Sequence, residues 1–240
     1  MRLAVLSDVH GNLPALEAVI ADARERGCDA FANLGDIVSG PLWPKETAAL
    51  LMALDWPTLA GNQDRAVVTL APERMGASDH FARVRLSEPQ LAWLARLPAT
   101  MTLGDDIFLC HGTPSDDLTY LTEEVGTDGA YPASPNVVRQ RIGDRPETMV
   151  LCGHSHLPRA MWLDGRIVAN PGSVGLPAYS DEQPLYHVME AGSPHARYAV
   201  VEEGDIDLVD VAYDFIAAAA KAEREGRRDW AFALRTGRAR

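Results

Sequence analysis

The sequence predicts an α/β protein: a largely parallel sheet covered by helices, followed by a second half built of antiparallel hairpins. Three observations carry this expectation. Over the first 70 residues, short aliphatic runs alternate with segments of helical period. After residue 156, strand-like runs follow one another with no helix between them. The 240 residues, 47% of them hydrophobic, suffice for a core of their own, so residues 1–240 read as one domain ending in a helical tail over about 213–240.

Taken in order, RLAVLS (2–7) is a strand that ends at Asp8, and Gly11-Asn12 turns it into a helix with Leu13, Leu16, Ile20 and Ala23 at helical spacing. DAFANLGD (29–36) repeats the pattern, passing through Pro41 and Pro44 around Trp43 into the helix ETAALLMAL. Pro57 opens a third short strand, TLA, that runs into Gly61-Asn62-Gln63-Asp64 and another helix. SEPQLAWLARL (87–97) is a helix with Ser87 as its N-cap and a Leu/Trp stripe toward the core. DIFLCHG (106–112) and TMVLCGHSH (148–156) are strands, and residues 113–135 between them show no period, which reads as a long loop: a lid or plain surface. AMWLDGRIVAN carries Asp164-Gly165, a two-residue hairpin turn. LYHVME, ARYAVVE and IDLVDVAY follow as strands before the helix DFIAAAAKAERE.

The formal net charge of −12 disfavours long nucleic acid, because binding through phosphates needs a concentrated basic surface. Residues 221–240 are the exception, with seven Lys/Arg against three Asp/Glu, and read either as a solvated helix or as a docking surface for an acidic partner. No run approaches 18 apolar residues, so no membrane span is expected. Cys28, Cys110 and Cys152 form an odd set without C-x-x-C spacing, which reads as reduced thiols in strands and a cytoplasmic location.

The chemistry gathers at the strand ends. Asp8 and His10 end the first strand, Asp36 the second, Asn62 the third, His111 the fourth, and His154 and His156 the fifth. Ligands of open α/β sheets bind at the carboxyl ends of strands, and residues i and i+2 leaving a strand face one side, so D-x-H and H-x-H each deliver two groups to one place. Two carboxylates, one amide oxygen and four imidazoles, with no thiolate, suit Mn, Fe, Co, Ni or Zn better than Mg or Ca. Seven ligands exceed one tetrahedral ion and fit two divalent ions roughly 3.5–4 Å apart with a shared carboxylate. Such a pair, less two aspartates, leaves a positive site suited to a phosphodiester and an activated water.

The ordered motifs SDVHGN, LGDIVSGP, AGNQD, CHG, CGHSH and NPGSVG resemble the calcineurin-like metallophosphoesterases, in particular their small bacterial and archaeal YfcE-like branch, over residues 3 to about 175. The resemblance implies a four-layer αββα sandwich with two facing mixed sheets. It also implies a dinuclear centre, with Asp8, His10 and His156 on one metal, Asn62, His111 and His154 on the other, Asp36 bridging, Mn as the foremost metal and hydroxide as nucleophile. The implied function is hydrolysis of small phosphoesters, foremost diesters of nucleotide-like form. Dinucleoside polyphosphates and phosphomonoesters are alternative substrates, and a scaffold or a polymer nuclease are alternative roles; a homo-oligomer is compatible with all of these.

The sequence departs from the family at one paired feature. Where the phosphatases carry G-N-H-[DE] and G-D-x-x-D, this chain has Gln63 and Ser39. Gln63 can contact a phosphate oxygen but cannot deliver a proton, so the acid help normally worth about 10²–10⁴-fold is missing from that position. Trp43 is a candidate for stacking on a base or for packing against a helix, and Asn170-Pro171-Gly172-Ser173 reads foremost as a turn.

Overall fold

A computed structural model describes residues 1–240. The first strand β1 (Arg2–Leu6) alternates its side chains between two faces: Leu3 and Val5 point one way, Ala4 and Leu6 the other, and all are buried. A strand buried on both faces lies inside a stack of layers. It is followed by α1 (Leu13–Glu25), β2 (Ala30–Asn33), α2 (Pro44–Leu54) and α3 (Asn62–Thr69), then the short α4 (Ala77–Arg83) and α5 (Glu88–Leu94). The next elements are β3 (Thr100–Leu103), β4 (Ile107–Cys110), β5 (Glu123–Gly126), β6 (Gly129–Pro132), α6 (Pro135–Ile142) and β7 (Met149–Leu151). The chain closes with β8 (Arg159–Leu163), β9 (Arg166–Asn170), β10 (Ala178–Asp181), β11 (His187–Glu190), β12 (Ala196–Glu202), β13 (Asp205–Val211), α7 (Phe215–Arg224) and α8 (Arg228–Thr236).

Two mixed sheets result, in the orders β13-β12-β1-β2 and β3-β4-β7-β9-β8. β1 pairs parallel with β2 and antiparallel with β12; β7 pairs parallel with both β4 and β9. Leu3, Val5, Ala32 and Leu34 meet Leu109, Leu151, Ile167 and Ala169 between the sheets. Ala4 and Leu6 pack outward with Leu16, Val19 and Leu51 of the helices on one side. Phe108, Val150 and Val168 pack outward with Val138 and Ile142 of α6 on the other. This is the four-layer αββα arrangement, and it places the C-terminal ends of β1, β2, β4 and β7 at one rim.

Three expectations change. The third strand is reduced to a single parallel bridge, Asn33 with Thr58, because the chain turns away at Gly61 after one rung. The loop 113–135 contains the antiparallel hairpin β5–β6, turning at Thr127-Asp128. The basic tail is two helices rather than one: α7 and α8 bury Ala218, Ala219, Trp230 and Leu234 against Leu42 and Leu176, while Arg224, Arg228 and Arg235 stay exposed on the other side. Trp43, half-buried, packs against that cluster and lines neither cavity at the strand-end rim. Cys110 and Cys152 face the core, and all three cysteines are free and buried. No helix is long and apolar enough to cross a membrane.

Candidate metal centre

All seven candidate ligands converge at the strand-end rim. Asp8, His10 and His156 form one group, and Asp36, His111 and His154 a second, each with its ligand atoms within 4.8 Å of one another. Asn62 Oδ1 lies 3.1 Å from His111 Nε2, and Asp8 Oδ1 lies 4.0 Å from the same nitrogen, which links the two groups. Five of these residues, Asp8, His10, Asp36, His154 and His156, have φ between 51° and 69°. Left-handed backbone costs a side-chain-bearing residue of order 1–3 kcal/mol, so its concentration here means that surrounding contacts hold these loops in place.

Hydrogen bonds on the far side of each ring set which nitrogen faces inward. A carbonyl can only accept, so the Nδ1–H of His10 donates to Ser39 O (2.9 Å), that of His111 to Leu34 O (2.9 Å) and that of His156 to Leu176 O (2.6 Å). His154 is turned the other way: its Nε2–H donates to Leu118 O (3.0 Å), leaving Nδ1 free. In the neutral rings, the inward nitrogens of His10 and His156 then carry lone pairs, and they face each other at 3.0 Å. Asp8 Oδ1 stands 3.2 Å from the second of them, buried and without a hydrogen-bond partner. Acceptors pointed at one another in a dry site repel unless a cation lies among them, so this donor set fits a divalent ion.

The second group is balanced differently. Against burial, which favours a neutral ring, the Asp36 carboxylate at 3.5 Å and then Asp8 push His111 up to about 10. The two carboxylates thus favour the charged form of this ring in the metal-free protein. Burial, and next the neighbouring ring of His156 or His111, pushes His10 and His154 respectively down to about 4. Burial would raise the Asp8 and Asp36 carboxyls, but the surrounding histidines hold both below the usual carboxylate range.

Loops hold the constellation by backbone-directed bonds. Asp8 Oδ2 accepts from His154 N (3.1 Å), and Asp36 Oδ1 accepts from Gln63 N (2.9 Å). Asp64, which the strand-end pattern does not single out, ties two ligand loops by accepting from Ile37 N and Gly61 N, both at 3.0 Å. The sequence signal for this role is its N3 position in the helix that Asn62 opens. Asn170-Pro171-Gly172-Ser173 is more than a turn: Asn170 Nδ2 donates to Gly153 O (2.6 Å) and Ser173 Oγ to Asp8 O (2.8 Å), clamping two ligand loops together. Gly175 is required at the same clamp, since a Cβ there would meet Val9 O at 1.8 Å.

Gln63 sits at the centre's edge with Oε1 buried and unpartnered. Ser39 donates to Asp79 Oδ1 (2.6 Å), so the hydroxyl is committed to α4. Two cavities open from the centre. One, of about 230 Å³, is lined by Asp36, Asn62, Gln63, His154 and His156 and walled by residues of the C-terminal region. The other, of about 530 Å³, is lined by Asn62 and His154 together with Leu118, Tyr120, Glu124 and Arg141. The residue 113–135 excursion therefore forms a wall of the site rather than a remote surface loop.

Comparison with known proteins agrees with this architecture. The model of the calcineurin-like phosphoesterase superfamily domain matches residues 1–193. The uncharacterized protein MJ0912 of Methanocaldococcus jannaschii is 26% identical, with 95% of this chain and 94% of that protein covered. The crystal structure of a metallophosphoesterase from Sphaerobacter thermophilus superposes with a TM-score of 0.78 at 26% identity, covering 99% of each chain. The hypothetical protein PH1004 of Pyrococcus horikoshii shares the fold with a TM-score of 0.76 at 20% identity, covering 98% of each chain. The chain belongs to the calcineurin-like phosphoesterase superfamily of metal-dependent phosphoric ester hydrolases.

Proposed function

We propose that the chain hydrolyses small phosphodiesters, foremost nucleotide-like ones, at a dinuclear centre. In this reading Asp8, His10 and His156 hold one divalent ion, Asn62, His111 and His154 the other, and Asp36 lies between them. The N/O donor set without thiolate favours Mn, with Fe, Co, Ni and Zn as alternatives. The ions, when bound, supply Lewis-acid polarisation of phosphorus and an acidified water. The chain's own residues do the rest: the Nδ1–H bonds of His10, His111 and His156 to backbone carbonyls fix the rings, and Gln63 offers its amide to a phosphate oxygen.

One observation favours a diester over a monoester: the two cavities meet at the centre, both lined by Asn62, His154 and Asp181. A diester has a substituent for each, whereas a monoester leaves one empty. The absence of a histidine acid at position 63 bears on the leaving group instead, favouring an oxygen that needs little protonation, as in an aryl ester or an anhydride. The larger cavity carries Glu123, Glu124 and Asp181 against the single cation Arg141, which disfavours a polyphosphate arm and puts dinucleoside polyphosphates second.

A panel of aryl phosphomonoesters, phosphodiesters and dinucleoside polyphosphates, assayed with Mn²⁺ or Ni²⁺, tests the reading. Diesters are expected to show the highest kcat/KM. A monoester preference overturns the substrate assignment, and no turnover of any class shifts the balance to a binding protein.

A further inference from the structure

The smaller cavity joins the candidate centre to residues beyond the 1–193 span matched by the family model. Its outer wall includes Arg227, Asp229, Trp230, Ala233 and Arg240. Two of these are cationic, and they differ in how they are held. Arg240 is exposed. Arg227 is fixed: Nε and Nη2 donate to the Asp229 carboxylate at 3.0 and 2.6 Å, Nη1 donates to Ser78 Oγ at 2.8 Å, and the side chain is only 25% exposed.

Trp230 locks this wall to the centre. Its ring meets the His10 ring edge-on with centroids 5.8 Å apart, and the Arg227 guanidinium lies 5.6 Å from the indole. The ring fits because Gly40 has no side chain, since a Cβ there would stand 2.6 Å from Trp230. Ser39, the neighbour of Gly40, receives the His10 Nδ1–H on its carbonyl and gives its hydroxyl to Asp79, which adjoins Ser78 on α4. The position where the family has its acid-orienting aspartate is thus wired to the helix that seats Arg227.

We infer that Arg227 contacts the substrate phosphate in the cavity it shares with Gln63, supplying from the C-terminal hairpin the positive charge that a histidine at position 63 would otherwise bring. The inference rests on the phosphodiesterase reading above. A guanidinium has five N–H donors, and Asp229 and Ser78 occupy three, leaving one on each terminal nitrogen for non-bridging oxygens. Arginine stays charged at any working pH, so it stabilises charge on the phosphate without protonating the leaving oxygen. Electrostatic stabilisation of this kind matches substrates with a good leaving group.

The test uses the full metal-loaded chain and three readouts: bound metal, affinity for inorganic phosphate by calorimetry, and kcat/KM for bis(p-nitrophenyl) phosphate. Arg227→Met is expected to keep its metal while losing about 10- to 100-fold in phosphate affinity and at least as much in kcat/KM. Arg227→Lys, which retains a charge for Asp229 and therefore the packing of α8, is expected to fall between the two because it lacks the fork. Phosphate affinity within twofold of the parent in both variants overturns the inference, as does loss of metal in both, which would make Arg227 a support for α8. If the parent hydrolyses no ester, the phosphodiesterase reading fails by itself, and the phosphate affinities still decide whether Arg227 binds the anion.

Discussion

The protonation of His111 in the metal-free protein is the sharpest consequence of the site's electrostatics. Its Nδ1–H is committed to Leu34 O, and its Nε2 faces Asn62 Oδ1 at 3.1 Å, Asp36 Oδ2 at 3.5 Å and Asp8 Oδ1 at 4.0 Å. Three oxygens around one ring nitrogen hold a proton there, and the Asp36 and Asp8 charges outweigh burial to push the ring to about 10. A ligand nitrogen must give up that proton, so metal affinity at this half of the site rises with pH. The sign is fixed by competition: below about 10 each pH unit is worth tenfold, so at pH 8 the displacement costs on the order of 3 kcal/mol, a factor of about 100. His10 and His154, pushed down to about 4, are already neutral and add no slope until acid solution. Unperturbed histidines near 6.5 would instead give a flat affinity above about pH 7.5. Ring ¹⁵N shifts of the metal-free protein, read with metal titrations from pH 7.5 to 9, decide between these. A charged His111 at pH 8 and a tenfold rise in affinity per unit are expected; a neutral His111 and a flat affinity would overturn this electrostatic picture.

Two further predictions concern residues around the ligands. Asp64→Ala strands the buried N–H groups of Ile37 and Gly61, so urea unfolding of the metal-free chain is expected to lose about 2–4 kcal/mol; a change below about 0.5 would show that the two loops do not depend on it. Gln63→His is expected to raise the ratio of monoester to diester turnover, and an unchanged ratio would make Gln63 a bystander. Ser39→Asp is not a useful companion to it, because the new carboxylate would face Asp79, the present partner of the Ser39 hydroxyl at 2.6 Å.

The ligand set is legible in the sequence because each member lies in a short local pattern at a strand end, where period-two geometry delivers D-x-H and H-x-H to one rim. The layers are legible for a related reason: β1 is apolar on both faces, which only an interior strand tolerates. The hairpin β5–β6 is not, because EEVG and GAYP lack apolar alternation and stand against the site rather than over a core. The TLA segment reads as a strand by composition, yet it forms a single ladder bridge, Thr58 with Asn33, before the turn at Gly61. The role of α8 is hidden for a different reason. Trp230 and Arg227 are more than 150 residues beyond His10 and Gln63, and only tertiary packing brings Trp230 against the His10 ring and Arg227 into the cavity that Gln63 lines. The positive φ of the five ligand residues is also hard to read from sequence, since Asp and His adopt it more readily than most residues but in ordinary caps and turns as well, as Asp55 and Asp164 do.

Whether the seven strand-end residues form a dinuclear metal centre responsible for ester hydrolysis is decided by metal analysis of the purified chain. It is made before and after chelation and alongside diesterase activity, with Asp36→Asn as the comparison. Two divalent ions per parent chain are expected, with activity lost on chelation and restored by Mn²⁺, and a lower metal content in Asp36→Asn with most activity gone. A parent chain that stays metal-free at saturating Mn²⁺, or an Asp36→Asn chain that keeps both ions and full activity, would rule the dinuclear centre out.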